Sequence, residues 1–144
     1  MTARASDVPP LSAVLKSATA EAHRQAETRP LQKALVQGRL PQDHLRLYLR
    51  QLRDLHAALE THLDARPEVA AAIDWSDDQR HSRRLDDDLH TLGDGELPAR
   101  LEATQALLDR IDAGVAAEPR SLLGFVYVLE GSMNGNRFIV RALR

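Results

Sequence analysis

The sequence contains no cysteine among its 144 residues. This absence excludes a disulfide framework, a thiolate metal site and a cysteine nucleophile. The chain also lacks a signal segment at its N-terminus and any apolar run of about 18 residues that could span a bilayer. The net charge is only -2, and no basic cluster of the kind that binds nucleic acid is present. We therefore expect a cytoplasmic protein that has neither a membrane nor a nucleic acid as its partner.

Aromatic and β-branched residues are scarce as well, whereas Ala, Leu and Arg are abundant. This composition favours helix over strand throughout the chain. A length of 144 residues suits one domain that can bury its own core. We expect a single all-α domain over residues 1–144, with about six helices and with residues 1–10 as a loosely held polar lead.

The first predicted helix runs from Leu11 to a position before Pro30. Its apolar stripe is formed by Leu11, Val14, Leu15, Ala18 and Ala22. His23 lies at the edge of this stripe, on the same flank as Glu27. A histidine there is either an ordinary boundary residue or a metal ligand, because neutral imidazole beside an apolar surface is the usual protein ligand of haem iron.

A long amphipathic helix is predicted between Pro41 and Pro67, each of which favours a helix boundary. His56 and Glu60 lie four residues apart on it and could in principle hold a metal from one face. The structural interpretation is favoured, because the Glu-x-x-His pairs of carboxylate di-iron bundles are absent.

Two further helices are predicted in the less distinctive middle of the chain. Asp77 and Asp78 resemble N-terminal caps of a helix that continues to Leu92. Pro98 is predicted to start the next helix, and the segment from Gly114 to Pro119 is predicted to break it.

The last quarter of the chain combines strong helical periodicity with residues that weaken a helix. Gly131 and Gly135 lie one turn apart within the apolar stretch 122–143, next to Asn134 and Asn136. Each interior glycine costs about 1 kcal/mol relative to alanine. Three explanations are open at this point: a flat ligand against bare main chain, a close helix crossing, or a broken helix. We expect the helix to be distorted between the two glycines.

Three segments resemble a bacterial haem oxygenase, and they follow the order of that family over nearly the whole chain. They are residues 15–27 around His23, residues 40–60, and Gly124-Phe-Val-Tyr-Val-Leu-Glu-Gly-Ser132. The resemblance implies a haem oxygenase-like helical bundle with a glycine-interrupted distal helix. It also implies that haem b, as substrate and cofactor, is opened to biliverdin with release of iron and carbon monoxide. Molecular oxygen and an external electron donor, a reductase or a ferredoxin-type protein, would be required.

The site residues that follow from the resemblance lie on the first and last helices. They are Lys16, His23, Tyr127, Gly131, Ser132, Asn134 and Gly135. His23 is the expected proximal ligand of the iron. Lys16, about 10 Å away along the same helix, is suitably placed for a haem propionate. Tyr127 and Asn134 are expected to contact the cofactor. The distal catalytic segment contains both glycines and Ser132, which is expected to help hold the water that delivers protons.

The chain departs from the family at two points. Asn134 and Asn136 stand where relatives commonly have an apolar residue and a second small residue. Their polar amide groups could bind the oxygen ligand and change where oxygen is delivered. Relatives also usually continue with further helices that complete one side of the pocket. We therefore expect either that this chain is a shortened form, or that a partner or a second copy of the chain covers that side.

A non-catalytic haem-binding carrier or sensor on the same fold is the principal alternative. A purely structural helical module would bind no haem. A thiamine-degrading enzyme is disfavoured because it needs a cysteine nucleophile.

Overall fold

The computed structural model describes residues 9–93 and 95–131, and within these ranges every regular element is helical. Six α-helices have both ends inside the described ranges: α1 Leu11–Glu27, α2 Pro30–Val36, α3 Gln42–Asp64, α4 Pro67–Ala71, α5 Ser82–Thr91 and α6 Glu102–Ala117. A seventh, α7, occupies residues 122–131, where the described part ends. The all-α prediction is confirmed. No helix in this part of the chain is long and apolar enough to cross a membrane.

The backbone contacts divide the chain into two compact units, one ending at Arg39 and the other beginning at Leu40. The single domain over residues 1–144 therefore stays a prediction.

The first unit consists of α1 and α2. The carbonyl oxygen of Pro10 accepts hydrogen bonds from the amides at the start of α1, which ends at Glu27 before Pro30, as predicted. The seven-residue helix α2 was not predicted, although Pro30 occupies its first position, where proline is favoured. Neither helix contains a buried residue, and Leu11 in the apolar stripe of α1 is 65% exposed.

The second unit is built around α3, whose 23 residues confirm the long helix predicted between the two prolines. One face of α3 packs against α4, α6 and α7. Its core residues are Leu55, Leu59, Leu63, Val69, Leu108, Ile111, Val115, Leu122 and Val126. Each large apolar side chain contributes roughly 1.5–3 kcal/mol when it is fully buried. This core fixes the start of α7, because Leu122 and Val126 belong to it.

The predicted start of α6 at Pro98 is wrong, because α6 begins at Glu102. Side chains of α3 hold the preceding segment outside the helix. Arg50 donates a hydrogen bond to the carbonyl oxygen of Pro98 at 3.2 Å. The side-chain amide of Gln51 donates to the carbonyl oxygen of Ala99 and accepts a hydrogen bond from the backbone amide of Leu101. The carbonyl oxygens of Pro98 and Ala99 and the amide of Leu101 thus have hydrogen-bond partners without a helix.

The predicted break between Gly114 and Pro119 is confirmed, because α6 ends at Ala117, but Gly114 itself lies within the helix. A Cβ atom at position 114 would meet the ring of Phe125 and the hydroxyl group of Ser121, each at 3.5 Å. Gly114 therefore permits a close approach between α6 and α7 rather than ending α6.

The helix predicted to follow the caps Asp77 and Asp78 begins later than expected. These residues form the short 3-10 turn Asp77–Gln79, and α5 starts at Ser82. The side chain of Glu60 on α3 supplies the cap of α5 instead, which explains the shift.

Candidate functional site

His23 is an exposed residue on α1, with 65% of its side chain accessible. Its Nε2 atom lies 3.0 Å from Oε1 of Glu27, so the two residues share one flank of the helix as predicted. One turn earlier, the hydroxyl group of Thr19 donates to the carbonyl oxygen of Leu15 and is turned back onto the helix. The imidazole of His23 is therefore accessible to a ligand from outside this unit.

Lys16 lies on the same regular helix as His23 and is also exposed. The seven-residue separation corresponds to about 10 Å along the axis and nearly two full turns, so the two side chains leave the helix on similar sides. The two side chains are therefore placed to approach one ligand along this flank of α1.

The helix α7 carries Tyr127 and Gly131, four residues apart and hence on the same side. Tyr127 is half-buried, whereas Gly131 is exposed. A Cβ atom at position 131 would meet no atom of the described residues within 4 Å, in contrast to Gly114 on α6. Packing by the described side chains therefore gives no reason for a glycine at 131.

The remaining predicted site residues, Ser132, Asn134 and Gly135, lie outside the described residues. The expected distortion of the helix between the two glycines lies there too. The structure thus brings His23 and Lys16 together on α1, and Tyr127 and Gly131 together on α7. The accessible imidazole on α1 fits a haem, because such a group is a usual ligand of haem iron. Separately, the bare main chain at Gly131 on α7 admits a flat molecule.

Sequence analysis did not find the contacts that His56 and Glu60 make with the start of α5. The rings of His56 and His81 meet edge to face, with their centroids 4.9 Å apart. Burial, together with the neighbouring His81, lowers the pKa of His56 to about 4. The four-residue spacing of His56 and Glu60 was visible in the sequence, but nothing local indicated that residue 81 would join them.

The metal interpretation of His56 and Glu60 is not supported. The Glu60 carboxylate accepts hydrogen bonds from the amides of His81 and Ser82, at 2.8 and 2.9 Å, and from the Ser82 hydroxyl group. Within the described ranges, no group of three or more potential ligands is arranged to hold a metal ion. The hydrogen bonds of Glu60 agree with the structural interpretation of this pair.

A second polar cluster surrounds Asp54, whose side chain has no exposed surface. Burial alone would raise the pKa of Asp54, but hydrogen bonds from Arg100 and Arg50 outweigh it and hold the pKa below its ordinary value. An open cleft of about 360 Å³ lies beside this cluster, between α3 and α6. It contains none of the predicted site residues, and the two arginines that border it already pair with acidic side chains.

The fold and these residues define a class: an all-α protein that presents an accessible histidine on its first helix and a glycine with open space beside it on a late helix. The family model for heme oxygenase matches residues 9–143. The chain belongs to the heme oxygenase family. Comparisons with curated proteins and with solved structures each found no match.

Proposed function

We propose that this protein binds haem b and opens it to biliverdin, with release of iron and carbon monoxide. The observation that carries the proposal is the accessible His23 on α1 of a chain that matches the heme oxygenase family over residues 9–143. Bound haem supplies the iron that activates oxygen and the porphyrin that is cut. Molecular oxygen and electrons from a reductase or a ferredoxin-type donor complete the reaction, and a cytoplasmic location suits such donors.

His23 has the role of axial ligand in this proposal. Its Nε2 atom faces Glu27, so one of the two side chains must rotate before this nitrogen can bind iron. Exposed ion pairs of this spacing are weak, so the rotation costs little. With His23 holding the iron, Glu27 would remain on the same flank of α1. Lys16 would pair with a propionate on that flank.

On α7 in the second unit, Gly131 lacks the side chain that would otherwise fill the space beside the helix, which would leave room for a flat ligand. Tyr127, one turn earlier, contributes a half-buried ring and hydroxyl group to the same side of the helix. As the resemblance implies, Ser132 would help to hold the water that delivers protons, Asn134 would contact the cofactor, and Gly135 would belong to the same catalytic segment.

Titration of the purified protein with haemin, followed by a reductant under air, tests the proposal. The wild type should develop a histidine-ligated visible spectrum and then lose it as biliverdin forms. The His23→Ala variant should bind haem at least about tenfold more weakly and should produce no biliverdin, because the iron loses its protein ligand. Its helical circular dichroism should match the wild type, since His23 is exposed.

The matched control is His44→Ala, which removes another exposed histidine, this one from α3 in the second unit. The control should bind and degrade haem as the wild type does. A His23→Ala variant that keeps the wild-type spectrum would contradict the ligand assignment. Tight binding by the wild type without breakdown would favour the carrier or sensor, and no binding at all would refute both functions.

A further inference from the structure

The open cleft of about 360 Å³ between α3 and α6 lies entirely within the second unit. Its volume is in the range of pockets that bind small molecules. Among the expected haem residues that the structure describes, none lines this cleft. The cleft is therefore a candidate site for a ligand other than haem.

Two arginines border one end of the cleft. Arg53 on α3 is 34% exposed, and Arg100, just before α6, is 39% exposed. A guanidinium group has five N–H donors. Arg53 uses three of them, for Asp86 and Asp54. Arg100 uses two, for Asp54 and Gln105. Within the described residues, both guanidinium groups therefore keep N–H donors that can bind an anion.

The carboxylate of Asp54 holds the two arginines next to each other. Its Oδ1 atom accepts a hydrogen bond from Nη1 of Arg53 at 3.3 Å, and its Oδ2 atom accepts one from Nε of Arg100 at 2.7 Å. Because the Asp54 side chain has no exposed surface, a ligand reaches the guanidinium groups but not the carboxylate behind them. Arginines fixed in this way lose little side-chain freedom on binding, which lowers the cost of holding an anion.

The charges at this end of the cleft favour an anion. Arg50 also donates to Asp54, at 3.1 Å, and Arg53 pairs with Asp86. Three arginines, counting Arg100, thus accompany two carboxylates, so these five side chains carry one positive charge in excess. An acid that enters the cleft is attracted to this end.

The opposite end of the cleft has the other charge. His62 lies about 12 Å along α3 from Asp54, and it faces Asp112 of α6. The Nδ1 atom of His62 accepts a hydrogen bond from Arg66, so its Nε2–H group donates to Oδ1 of Asp112 at 2.6 Å. The exposed carboxylate of Asp112 repels an acid at this end and favours binding with the acid at the arginine end.

The wall between the two ends is apolar. It is formed by the half-buried Ala57 and Ala58 of α3 and by Leu108 of α6. The hydroxyl group of Thr61 donates to the carbonyl oxygen of Ala57, so its proton is already used. An apolar group placed here is removed from water, whereas a purely polar ligand leaves this wall without a partner.

We propose that the cleft between α3 and α6 binds a small organic acid. The carboxylate of the ligand accepts hydrogen bonds from Arg53 and Arg100. Its apolar body lies against Ala57, Ala58 and Leu108. This inference does not depend on the proposed function, because it concerns residues of the second unit alone and is tested without haem.

Benzoate is the probe, because it joins a carboxylate to an apolar ring of a size that fits the cleft. It is titrated into the ¹⁵N-labelled full chain without added haem, and amide chemical shifts are followed. We expect a dissociation constant on the order of 1 mM, as suits a ligand of this size, with shifts in residues 53–62 and 108–112. Benzyl alcohol lacks the charge and inorganic phosphate lacks the apolar body, so each should bind at least about fivefold more weakly.

The acid end is tested with the variant Arg100→Gln. It should bind benzoate roughly tenfold more weakly, because charge-assisted hydrogen bonds are lost. Its helical circular dichroism should match the wild type, since Asp54 keeps Arg50 and Arg53 as partners. The matched control is Arg110→Gln, which removes an exposed arginine of α6 that does not line the cleft. This control should bind benzoate as the wild type does.

The apolar part is tested with Ala57→Leu, which leaves every arginine in place. Benzoate binding should be lost, because the larger side chain occupies the space of the ring. Ala106→Leu adds the same side chain at an exposed position of α6 outside the cleft and should have no effect.

Three results would overturn the site itself: no shifts with benzoate, shifts confined to α1, or wild-type affinity in Ala57→Leu. Equal binding of benzoate and benzyl alcohol, or wild-type affinity in Arg100→Gln, would refute recognition of the acid group. Phosphate binding as tight as that of benzoate would show that the arginines attract anions in general, and it would refute the organic acid as the ligand.

Discussion

The carboxylate of Glu60, in the middle of α3, accepts hydrogen bonds from both the backbone amide and the hydroxyl group of Ser82, the first residue of α5. The N-cap residue His81 makes no capping hydrogen bond with its own side chain. A negative charge from another helix thus satisfies the free amides and the dipole at the start of α5. The same contact keeps the buried carboxylate of Glu60 paired.

The first prediction concerns this cap. The variant Glu60→Gln should lower the free energy of unfolding by about 1–3 kcal/mol, because hydrogen bonds to a charged acceptor are replaced by bonds to a neutral one. Urea unfolding followed by circular dichroism measures the change. Glu68→Gln, at an exposed position in the first turn of α4, is the control and should change stability far less. Equal losses in both variants would contradict the capping role.

The second prediction is a pH dependence that arises from His56. In the unfolded chain an ordinary histidine has a pKa near 6.5, whereas burial and the neighbouring His81 lower the pKa of His56 in the fold to about 4. Between these values the unfolded state binds the proton and the folded state does not. The free energy of unfolding should therefore fall by a total on the order of 3 kcal/mol as the pH decreases from about 6.5 to 4.

The variant His56→Leu should lose this contribution and show a shallower fall in stability over the same pH range. Urea unfolding at several pH values between 7.5 and 4.5 measures the difference between wild type and variant. His44→Leu replaces an exposed histidine of the same helix and should retain the wild-type slope. Parallel curves for wild type and His56→Leu would show that His56 does not resist protonation in the fold.

The third prediction concerns Asp54, which is paired with arginines on three sides. Despite burial, hydrogen bonds from Arg100 and Arg50 hold its pKa below the ordinary value, so the fold favours the carboxylate. The contribution of the Asp54 carboxylate to the free energy of unfolding is complete above the ordinary pKa of about 4. It is lost as the pH falls through the lower pKa of the folded state. Asp54→Asn should cost about 1–3 kcal/mol near neutral pH.

The gap in stability between wild type and Asp54→Asn should narrow in strong acid, where the wild-type carboxyl group also becomes neutral. Thermal unfolding at pH 7 and at pH 3 provides the comparison. Asp109→Asn, an exposed change on α6, should have a much smaller effect at neutral pH. A gap that widens in acid would contradict the sign of the pKa shift.

The fourth prediction separates folding from function at Gly131. Because a Cβ atom there meets no described atom, Gly131→Ala should stabilise the isolated protein by roughly 0.5–1 kcal/mol, as alanine usually does within a helix. The same methyl group should hinder haem or oxygen binding if this face of α7 approaches the ligand. Thermal unfolding and haemin titration measure the two effects.

Gly124→Ala is the matched control, because this glycine lies on the same helix and a Cβ atom there also meets no described atom. It should bring a similar gain in stability without the loss of haem binding. Identical haem binding by both variants and the wild type would argue against a close approach at Gly131. A large loss of stability in Gly131→Ala would instead indicate close packing at that position.

The sequence predicted those helices whose position is marked by residues within or next to them. Apolar periodicity and flanking prolines located α1 and α3, and the four-residue spacing placed His23 and Glu27 on one flank. The helix α2 was missed because seven residues are too few for a periodic pattern. The resemblance, rather than periodicity, pointed to the family and to the roles of the candidate site residues.

The starts of α5 and α6 could not be predicted because their causes are distant in the sequence. Glu60 determines where α5 begins, and Gln51 together with Arg50 keeps residues 98–101 out of α6. Local caps and prolines suggested earlier starts, which these contacts override. The contact between the rings of His56 and His81 likewise results from packing between helices, and the spacing of nearby residues in the sequence does not indicate it.

The buried polar side chains of α3 also determine when this helix can be buried during synthesis of the chain. Gln51 binds Leu101, 50 residues later; Asp54 binds Arg100, 46 residues later; and Glu60 binds Ser82, 22 residues later. Because translation proceeds from the N-terminus, α3 leaves the ribosome before any of these partners exists. Its polar residues must stay hydrated until then. The helix at the centre of the second unit is therefore among the first to be made, but it can be buried only after residue 101 has emerged.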